Sequence, residues 1–339
     1  MSDSTIVVKK GTTWGTAVTP DRTFCLLGSG ESLDSVPELI TSGAHCWGRR
    51  GPHANGEVKV RETGQGSIPL EVSTAGFGFW WGMCMGSSTS AQVGSTTVYQ
   101  QVHKLAAAAM PFFTVQKLLQ SLNPTTGAFT TEPFTWASMM VASWTLTIPE
   151  SGVATLTVNT TGKKVVTTTA AVVPAPRSGA DHLLHSGGAS LATGVYTAPT
   201  ATALASAATP VVGVRSLTIT VDNNLQTRPG WGSAVGRPTP GAMPSVTGTL
   251  DVEYITGGPF VSAFLNRTDL TLLATLAAIE NSDELVQVAI PSLRVGGQVP
   301  QAGSPTELQR ITVPFTAMRT AANPTDLITV VNRTYDTTI

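Results

Sequence analysis

The chain has 339 residues, enough for two domains of ordinary size, and 41% of them are hydrophobic, so each domain can bury a core. Charged residues make up only 12%, about half the usual fraction of roughly 25%, and the net charge is −1. This balance excludes a dedicated nucleic-acid binder, which would be basic. It indicates either a surface that other copies cover or a Thr-rich extracellular β protein. The three cysteines form no Cys-x-x-Cys pair and predict neither a zinc site nor a disulfide framework.

The first part of the chain predicts an arm, a long loop, a strand and a helix. Residues 1–20 are polar and are interpreted as an N-terminal arm. Residues 41–66 form a long segment that contains Gly, Arg and His, and its last part alternates charges with Val, which is typical of a solvated β-hairpin. A strand follows over Ile68–Ser73 and a helix over Phe77–Met85, although three glycines weaken the helix.

Residues 86–136 carry an insertion with short strand or helix candidates, and three strands follow it. These strands are predicted over Trp136–Ile148, Gly152–Asn159 and Lys164–Val173. In residues 154–158 apolar residues alternate with threonines, which indicates that one face is buried and the other carries the threonines. Residues 174–210 then lose almost all charge and become rich in Pro, Ala, Thr and Ser, which is typical of a linker or a long exposed loop.

The second part predicts one helix among several strands. Apolar residues at helical spacing indicate a helix over Phe260–Ile279. Strands are predicted over Arg215–Val221, Val246–Tyr254, Leu285–Ile290, Leu308–Phe315 and Leu327–Thr334. The sequence therefore predicts a mainly β (α+β) fold made of antiparallel β-sandwich or half-barrel units, each with one flanking helix.

A degenerate internal duplication connects the two parts. Residues 66–72, followed by the apolar run at 77–81, have counterparts in residues 247–252 and 260–265. Repeats of this kind predict two tandem units: residues 1–165, a linker or exposed loop over 166–210, and residues 211–339. Two unrelated β-units with alternating apolar residues would also align in this way.

Several segments resemble the tail tube (major tail) proteins of long-tailed bacteriophages, the siphoviruses. They are Lys10–Val18, Ser216–Leu225, Val246–Tyr254, Leu308–Phe315 and Ile328–Thr334. The resemblance covers most of the chain outside 174–210, and with the duplication it points to the subset in which two tube domains are fused. It implies a structural virion protein rather than an enzyme, assembled in the host cytoplasm and located in the tail.

The resemblance also implies partners. Three chains would form a pseudo-hexameric ring that closes into a β-barrel, and rings would stack into a conduit through which double-stranded DNA is ejected without specific binding. The expected partners are further copies of the chain and the tail terminator, tape measure and distal tail proteins; no membrane is expected. Residues 41–66 would supply the ring-stacking loop, with candidate residues Arg49, Arg50, His53, Lys59 and Arg61. Since a lumen that passes DNA should be neutral or acidic, Asp251 and Glu253 are the lumen-facing candidates.

No pattern indicates a catalytic, cofactor or metal site. Asp181, His182 and His185 come nearest to metal-ligand spacing, but they lack a third type of ligand, and exposed histidines are the better interpretation. Trp80 and Trp81 could form a sugar platform, yet their apolar neighbours favour a place in the core. Two alternatives stay open: a hexameric ring whose subunit has one tube domain plus a decoration domain, and a β-sandwich adhesin or carbohydrate-binding protein.

Overall fold

The computed structural model describes most of the chain, with short gaps between ranges. The described residues are 5–25, 30–43, 56–106, 109–173, 181–227, 236–255, 258–297, 309–321, 323, 326–337 and 339. Within them the protein is mainly β with two short helices, as the sequence predicted, and the strand pairings are antiparallel.

Ten strands lie in the first half of the chain. They are β1 (Thr5–Lys10), β2 (Arg22–Cys25), β3 (Asp34–Thr41), β4 (Glu57–Glu71), β5 (Gly86–Gln92), β6 (Tyr99–Leu105), β7 (Phe113–Leu122), β8 (Phe129–Ile148), β9 (Thr155–Lys163) and β10 (Val165–Val166). The strand expected over Lys164–Val173 is thus limited to the two residues of β10. The insertion predicted after the first helix contains the β5–β6 hairpin.

The second half contributes ten more strands. They are β11 (Ala189–Thr197), β12 (Ser206–Val211), β13 (Val214–Asp222), β14 (Leu225–Gln226), β15 (Thr239–Pro240), β16 (Ser245–Glu253), β17 (Leu270–Ala277), β18 (Leu285–Val295), β19 (Arg310–Ala317) and β20 (Thr329–Thr334). The strands expected around 215–221, 246–254, 285–290, 308–315 and 327–334 are confirmed within their described residues. Part of the segment expected as a linker or loop forms β11 and β12.

The first helix, α1 (Gly78–Met85), confirms the helix predicted over Phe77–Met85. All eight of its residues are buried, so it has no polar face and depends on the surrounding core for its stability. Gly86 ends it in the left-handed conformation at φ 88°, which glycine adopts without steric cost.

The second helix, α2 (Pro259–Asn266), is shorter than predicted. Proline stands at its start, where the missing N–H costs no hydrogen bond, and Arg267 ends it at φ 53°. The prediction of helix to Ile279 was wrong, because residues 270–277 form β17 between β11 and β18. A strand buried on both faces is apolar almost throughout, and its residues can therefore match helical spacing by chance.

The same pattern of strand pairing occurs twice. In the first strand set (β1–β4 and β7–β9 with α1) the order is β2–β1–β7–β8–β9–β4–β3. In the second strand set (β11–β13 and β16–β19 with α2) the order is β12–β11–β17–β18–β19–β16–β13. Each helix follows the corresponding strand, β4 or β16. The division of the chain into domains at 165 and 211 remains a prediction.

The two strand sets share one sheet and one core. Residues 143–148 of β8 pair with residues 217–222 of β13, and this ladder joins the two sets. Trp80, Trp81 and Trp144 are fully buried in the cluster to which both sets contribute. Among the described residues of one chain the sheet does not close on itself into a barrel.

Candidate functional site: a threonine-rich sheet face

Six neighbouring strands, in the order β4–β9–β8–β13–β16–β19, expose one continuous polar face. Cross-strand registers place their outward residues in rows. The two central rows contain threonine at most positions, and neither contains Lys or Arg. In strand order, the first row is Glu71, Thr155, Thr147, Thr218, Thr249 and Pro314. The second row is Pro69, Thr157, Thr145, Thr220, Thr247 and Thr316. We call these two rows and the two that flank them the threonine face.

The threonine face exists because polar and apolar residues alternate along each strand. In β9, Leu156 and Val158 are buried while the threonines beside them are partly exposed. In β13, Leu217 and Ile219 likewise point to the core. Period-2 alternation on adjacent strands in matched register gives one apolar and one polar side to the whole sheet.

The threonine face continues across the junction of the two strand sets. The hydroxyls of Thr145 on β8 and Thr220 on β13 lie 3.1 Å apart, within hydrogen-bond distance. In the next row, Asn159 donates from Nδ2 to the Ser143 hydroxyl at 2.9 Å. Short side chains that bond to each other leave a low, uncharged surface.

Charged residues lie at the margins of this surface. Glu71 stands at the β4 end of one central row, and Asp222 lies in one flanking row. The other charged residues are grouped around the opposite flanking row, and most of them are paired. Asp251 lies in a flanking row, where Thr312 donates to its Oδ1 at 3.2 Å. Glu253 lies one row further on and forms an ion pair with Arg215, whose pKa is raised by that hydrogen bond and by the nearby carboxylate charges. Glu150 accepts from Arg215 at 2.9 Å and from Arg310 at 3.3 Å, so this group of two cations and two anions is neutral.

Gly248 on β16 pairs with the buried Ile219 and lies on the core side of the sheet, beneath the threonine face. A Cβ atom at this position would lie 2.4 Å from the Thr218 carbonyl oxygen and 2.4 Å from Cζ of Phe315. The ring of Phe315, on the neighbouring strand β19, occupies the space that a side chain of residue 248 would need. A shallow depression on the polar side of the sheet is lined by the threonines of β13 and β16.

A second exposed feature is the hairpin of β3 with the first half of β4. Large apolar side chains on it are 40–60% exposed: Val36, Leu39, Ile40, Val58 and Val60. Residue 60 is the extra residue of a β-bulge, which increases the local twist. We call this two-stranded element the apolar arm; it reaches away from the body of the sheet because β4 pairs with β9 only from Thr63 onward.

The candidate stacking residues fall partly on the apolar arm. Lys59 forms an ion pair with Glu62 at 2.8 Å, and this hydrogen bond is the main reason why the pKa of Glu62 is lowered. Arg61 pairs with Glu38 on the opposite strand. Arg49, Arg50 and His53 lie outside the described residues. The structure thus places two of the five candidates on one hairpin, and both are paired with carboxylates.

Asp181, His182 and His185, the residues nearest to metal-ligand spacing in the sequence, make contacts that stabilise the fold. Ala75 donates its N–H to Oδ1 of Asp181 at 3.0 Å, and His182 contacts the buried carboxylate of Glu284 at 2.7 Å through Nδ1. His185 accepts from the Gly187 N–H at 3.1 Å. Across the part of the chain that the structure describes, no three His, Cys, Asp or Glu side chains are grouped as metal ligands.

The aromatic cluster lies in the core, as predicted. Phe77, Phe79, Trp80 and Trp81 are at most 2% exposed and make edge-to-face contacts with one another. These rings cannot stack on a sugar in solution, because their faces are covered.

Sequence reasoning missed two features of this surface. It assigned no element to residues 31–40, although Val36, Leu39 and Ile40 are the β-branched and apolar residues that favour an edge strand. It recognised the threonine alternation in β9 but not the continuation of the rows onto β13. That continuation depends on the long-range pairing of β8 with β13.

The described residues thus form an open β-sheet protein with a broad polar face and an exposed apolar arm. The model of one family, described as phage tail tube protein, matches residues 1–317. The chain therefore belongs to the phage tail tube family, which implies a non-enzymatic structural protein of the virion tail that assembles with itself. A search of curated proteins gave no match.

The helices are too short to cross a bilayer: α1 and α2 have eight residues each, and the described residues contain no apolar helix of spanning length.

Proposed function

We propose that the chain is the subunit of a siphophage tail tube, in which rings stack into the conduit that carries DNA from the capsid to the host. The threonine face is the observation that supports this function, because it forms a wide polar wall of mostly short side chains whose central rows contain no Lys or Arg. In the assembled tube this face lines the lumen, together with Asp251 and Glu253 at one end.

The electrostatics of the threonine face suit a surface past which DNA slides. Each phosphate that a Lys or Arg neutralises releases counterions, so a basic wall would bind DNA tightly. The two central rows carry no Lys or Arg, and Arg215 and Arg310 at the rim are held by Glu150 and Glu253. A passing duplex therefore finds few free cations on this part of the wall.

The repeated pairing pattern supports three chains in each ring. Each strand set acts as one tube domain, so that three chains supply six domains with pseudo-sixfold symmetry. In this proposal the second tube domain begins at β11, because β11 pairs with β17 as β1 pairs with β7. The alternative, six chains that each have one tube domain and a decoration domain, has less support because both strand sets contribute to the threonine face.

The apolar arm supports contact between stacked rings. Isolated two-stranded hairpins are marginally stable in water, so an arm with five exposed apolar side chains is suited to burial against another subunit. Residues 41–66 would then make the ring-to-ring contact, with Arg49, Arg50, His53, Lys59 and Arg61 as the candidate contact residues. The ends of the tube would contact the tail terminator, tape measure and distal tail proteins.

A charge substitution in the lumen wall tests this function. Thr218→Lys adds one cation per chain in a central row, and Thr218→Gln is the neutral control of similar length. We expect both variants to form tubes of normal diameter, while phages with lysine tubes eject DNA at least tenfold more slowly and recover at high salt. Equal ejection kinetics in the lysine and glutamine phages would contradict the assignment of this face to the lumen.

A further inference from the structure

Within one chain, residues of the second strand set and of the segment before it cover the end of β8 and the adjoining ends of β4 and β9 in the first strand set. Along the sheet, β13 pairs with the free end of β8. Beside it, the segment that leads into β11 inserts between the ends of β4 and β9. The Leu184 N–H donates to the Val72 carbonyl at 2.9 Å, and the Leu184 carbonyl accepts from the Ala154 N–H at 2.8 Å. The side chain of Leu184 is fully buried there.

This insertion satisfies the polar backbone that follows β4. Thr74 donates its N–H to the His182 carbonyl at 3.0 Å, and its hydroxyl accepts from the His182 N–H at 3.2 Å. Ala75 donates to Asp181. The turn between β4 and α1 is therefore held by residues that belong to the approach to β11, and α1 behind it is completely buried.

Among the described residues, no segment covers the corresponding surface of the second strand set as residues 181–185 cover the first. A groove runs beside the end of β16 and the start of α2, lined by Val252, Tyr254, Ile255, Phe260 and Ile311 among others. Tyr254 is 51% exposed and Ile255 is 40% exposed. Only Phe260 and Ala263 of α2 are buried, in contrast to all of α1.

We propose that this groove, which we call the α2 groove, binds a second copy of the chain. The proposal rests on the function proposed above and names the contact through which neighbouring chains of a ring meet. In this contact, the first strand set of the second copy packs against the second strand set of the first copy. Their relative orientation is the one that the second strand set has to the first strand set within one chain. This orientation brings the N-terminal end of β1 of the second copy to the α2 groove, because β1 corresponds to β11.

The pairing pattern gives the reason for choosing another copy as the occupant. Among the described residues, neither β1 nor β3 of the first strand set pairs with a strand of the second set, and no strand of the first set pairs with the residues of the α2 groove. The two surfaces are different, so the contact is head-to-tail and closes a ring when the rotation allows it. Burial of Tyr254 and Ile255 in this contact removes apolar surface from water.

The test places a charge in the α2 groove. Ile255→Asp introduces a carboxylate that must be desolvated in the contact, and Val195→Asp is the matched control, since Val195 is 79% exposed and does not line the groove. We expect the unassembled Ile255→Asp protein to unfold at the wild-type temperature, while its tube assembly on purified tail tips falls at least tenfold in sedimentation and negative-stain assays. The control should assemble normally. If Ile255→Asp lowers the unfolding temperature, Tyr254→Ser provides the same test without a buried charge.

A mixing experiment examines the head-to-tail character. The Ile255→Asp chain keeps an intact first strand set, so it should occupy wild-type α2 grooves and inhibit wild-type assembly at less than equimolar ratios. Normal assembly of Ile255→Asp, or no inhibition in the mixture, would overturn the inference and leave the proposed function standing. Failure of the wild-type chain to form tubes on tail tips would instead refute the proposed function.

Discussion

Acid should destabilise the unassembled protein through one buried histidine. His103 on β6 is fully buried, and its Nδ1 lies 2.7 Å from the Ser88 hydroxyl. Burial lowers the pKa of His103 from 6.5 to about 3, because the charged imidazolium would lose its hydration. The folded protein therefore keeps this side chain neutral at pH values where the unfolded chain protonates it.

The sign and the size of this change in the free energy of unfolding follow from the linkage between proton binding and folding. Between the two pKa values the unfolded state binds the extra proton, so the free energy of unfolding falls as the pH falls from about 6.5 toward 3. At pH 5 the loss due to His103 is on the order of 2 kcal/mol, since each pH unit below the unfolded pKa contributes about 1.4 kcal/mol. A loss of this size is a large fraction of the stability of a typical domain.

The measurement is urea unfolding of the unassembled protein at pH 7.5 and at pH 5. His103→Asn keeps a polar group near the Ser88 hydroxyl but cannot be protonated, so we expect its loss between the two pH values to be smaller than that of the wild type by on the order of 2 kcal/mol. His185→Asn is the control, because His185 is partly exposed and caps a turn. A wild-type pH dependence that persists in His103→Asn would refute this reasoning.

Two further substitutions test the sheet and its junction. Gly248→Ala places a methyl group 2.4 Å from the Thr218 carbonyl, so the β13–β16 ladder must shift, and we expect a loss of about 1–3 kcal/mol in urea unfolding; an unchanged midpoint would contradict the close approach. Asn223→Ala removes the buried donor that serves the carbonyls of Cys84 at 3.2 Å and Val141 at 3.1 Å, so we expect a loss of about 1–3 kcal/mol, whereas alanine at the more exposed Asn266 should change stability by less than about 0.5 kcal/mol.

The sequence predicted which residues lie in the core more completely than it predicted the roles of surface residues. Trp80 and Trp81 were assigned to the core because they stand in an apolar run, and large apolar side chains are seldom left in water. Asp251 and Glu253 were chosen from one alternating strand, and the structure places both on the same side of the sheet as the threonines. Their exposure to a lumen remains a prediction, because it depends on neighbouring chains.

The failed helix prediction shows why local pattern is insufficient. Residues 270–277 have apolar side chains at spacings that a helix would also use, and only their partners, β11 and β18, select the strand. Residues 174–210, which include most of β11 and β12, have so little charge and so few large side chains that they suggested a linker or an exposed loop. β11 pairs with β17 and β12 pairs with β11, and the local sequence does not reveal these pairings.

The amino-acid sequence by itself determined the β class, most strand positions and the low-charge surface, because these depend on composition and on the period-2 alternation of neighbouring residues. Only the tertiary structure decided that β8 pairs with β13, that the threonine rows run through both strand sets, and that no described segment covers the α2 groove. The physical reason is that the register of a sheet and the covering of its edges are set by contacts between residues far apart in the chain, and these contacts leave no periodic signal in either segment alone.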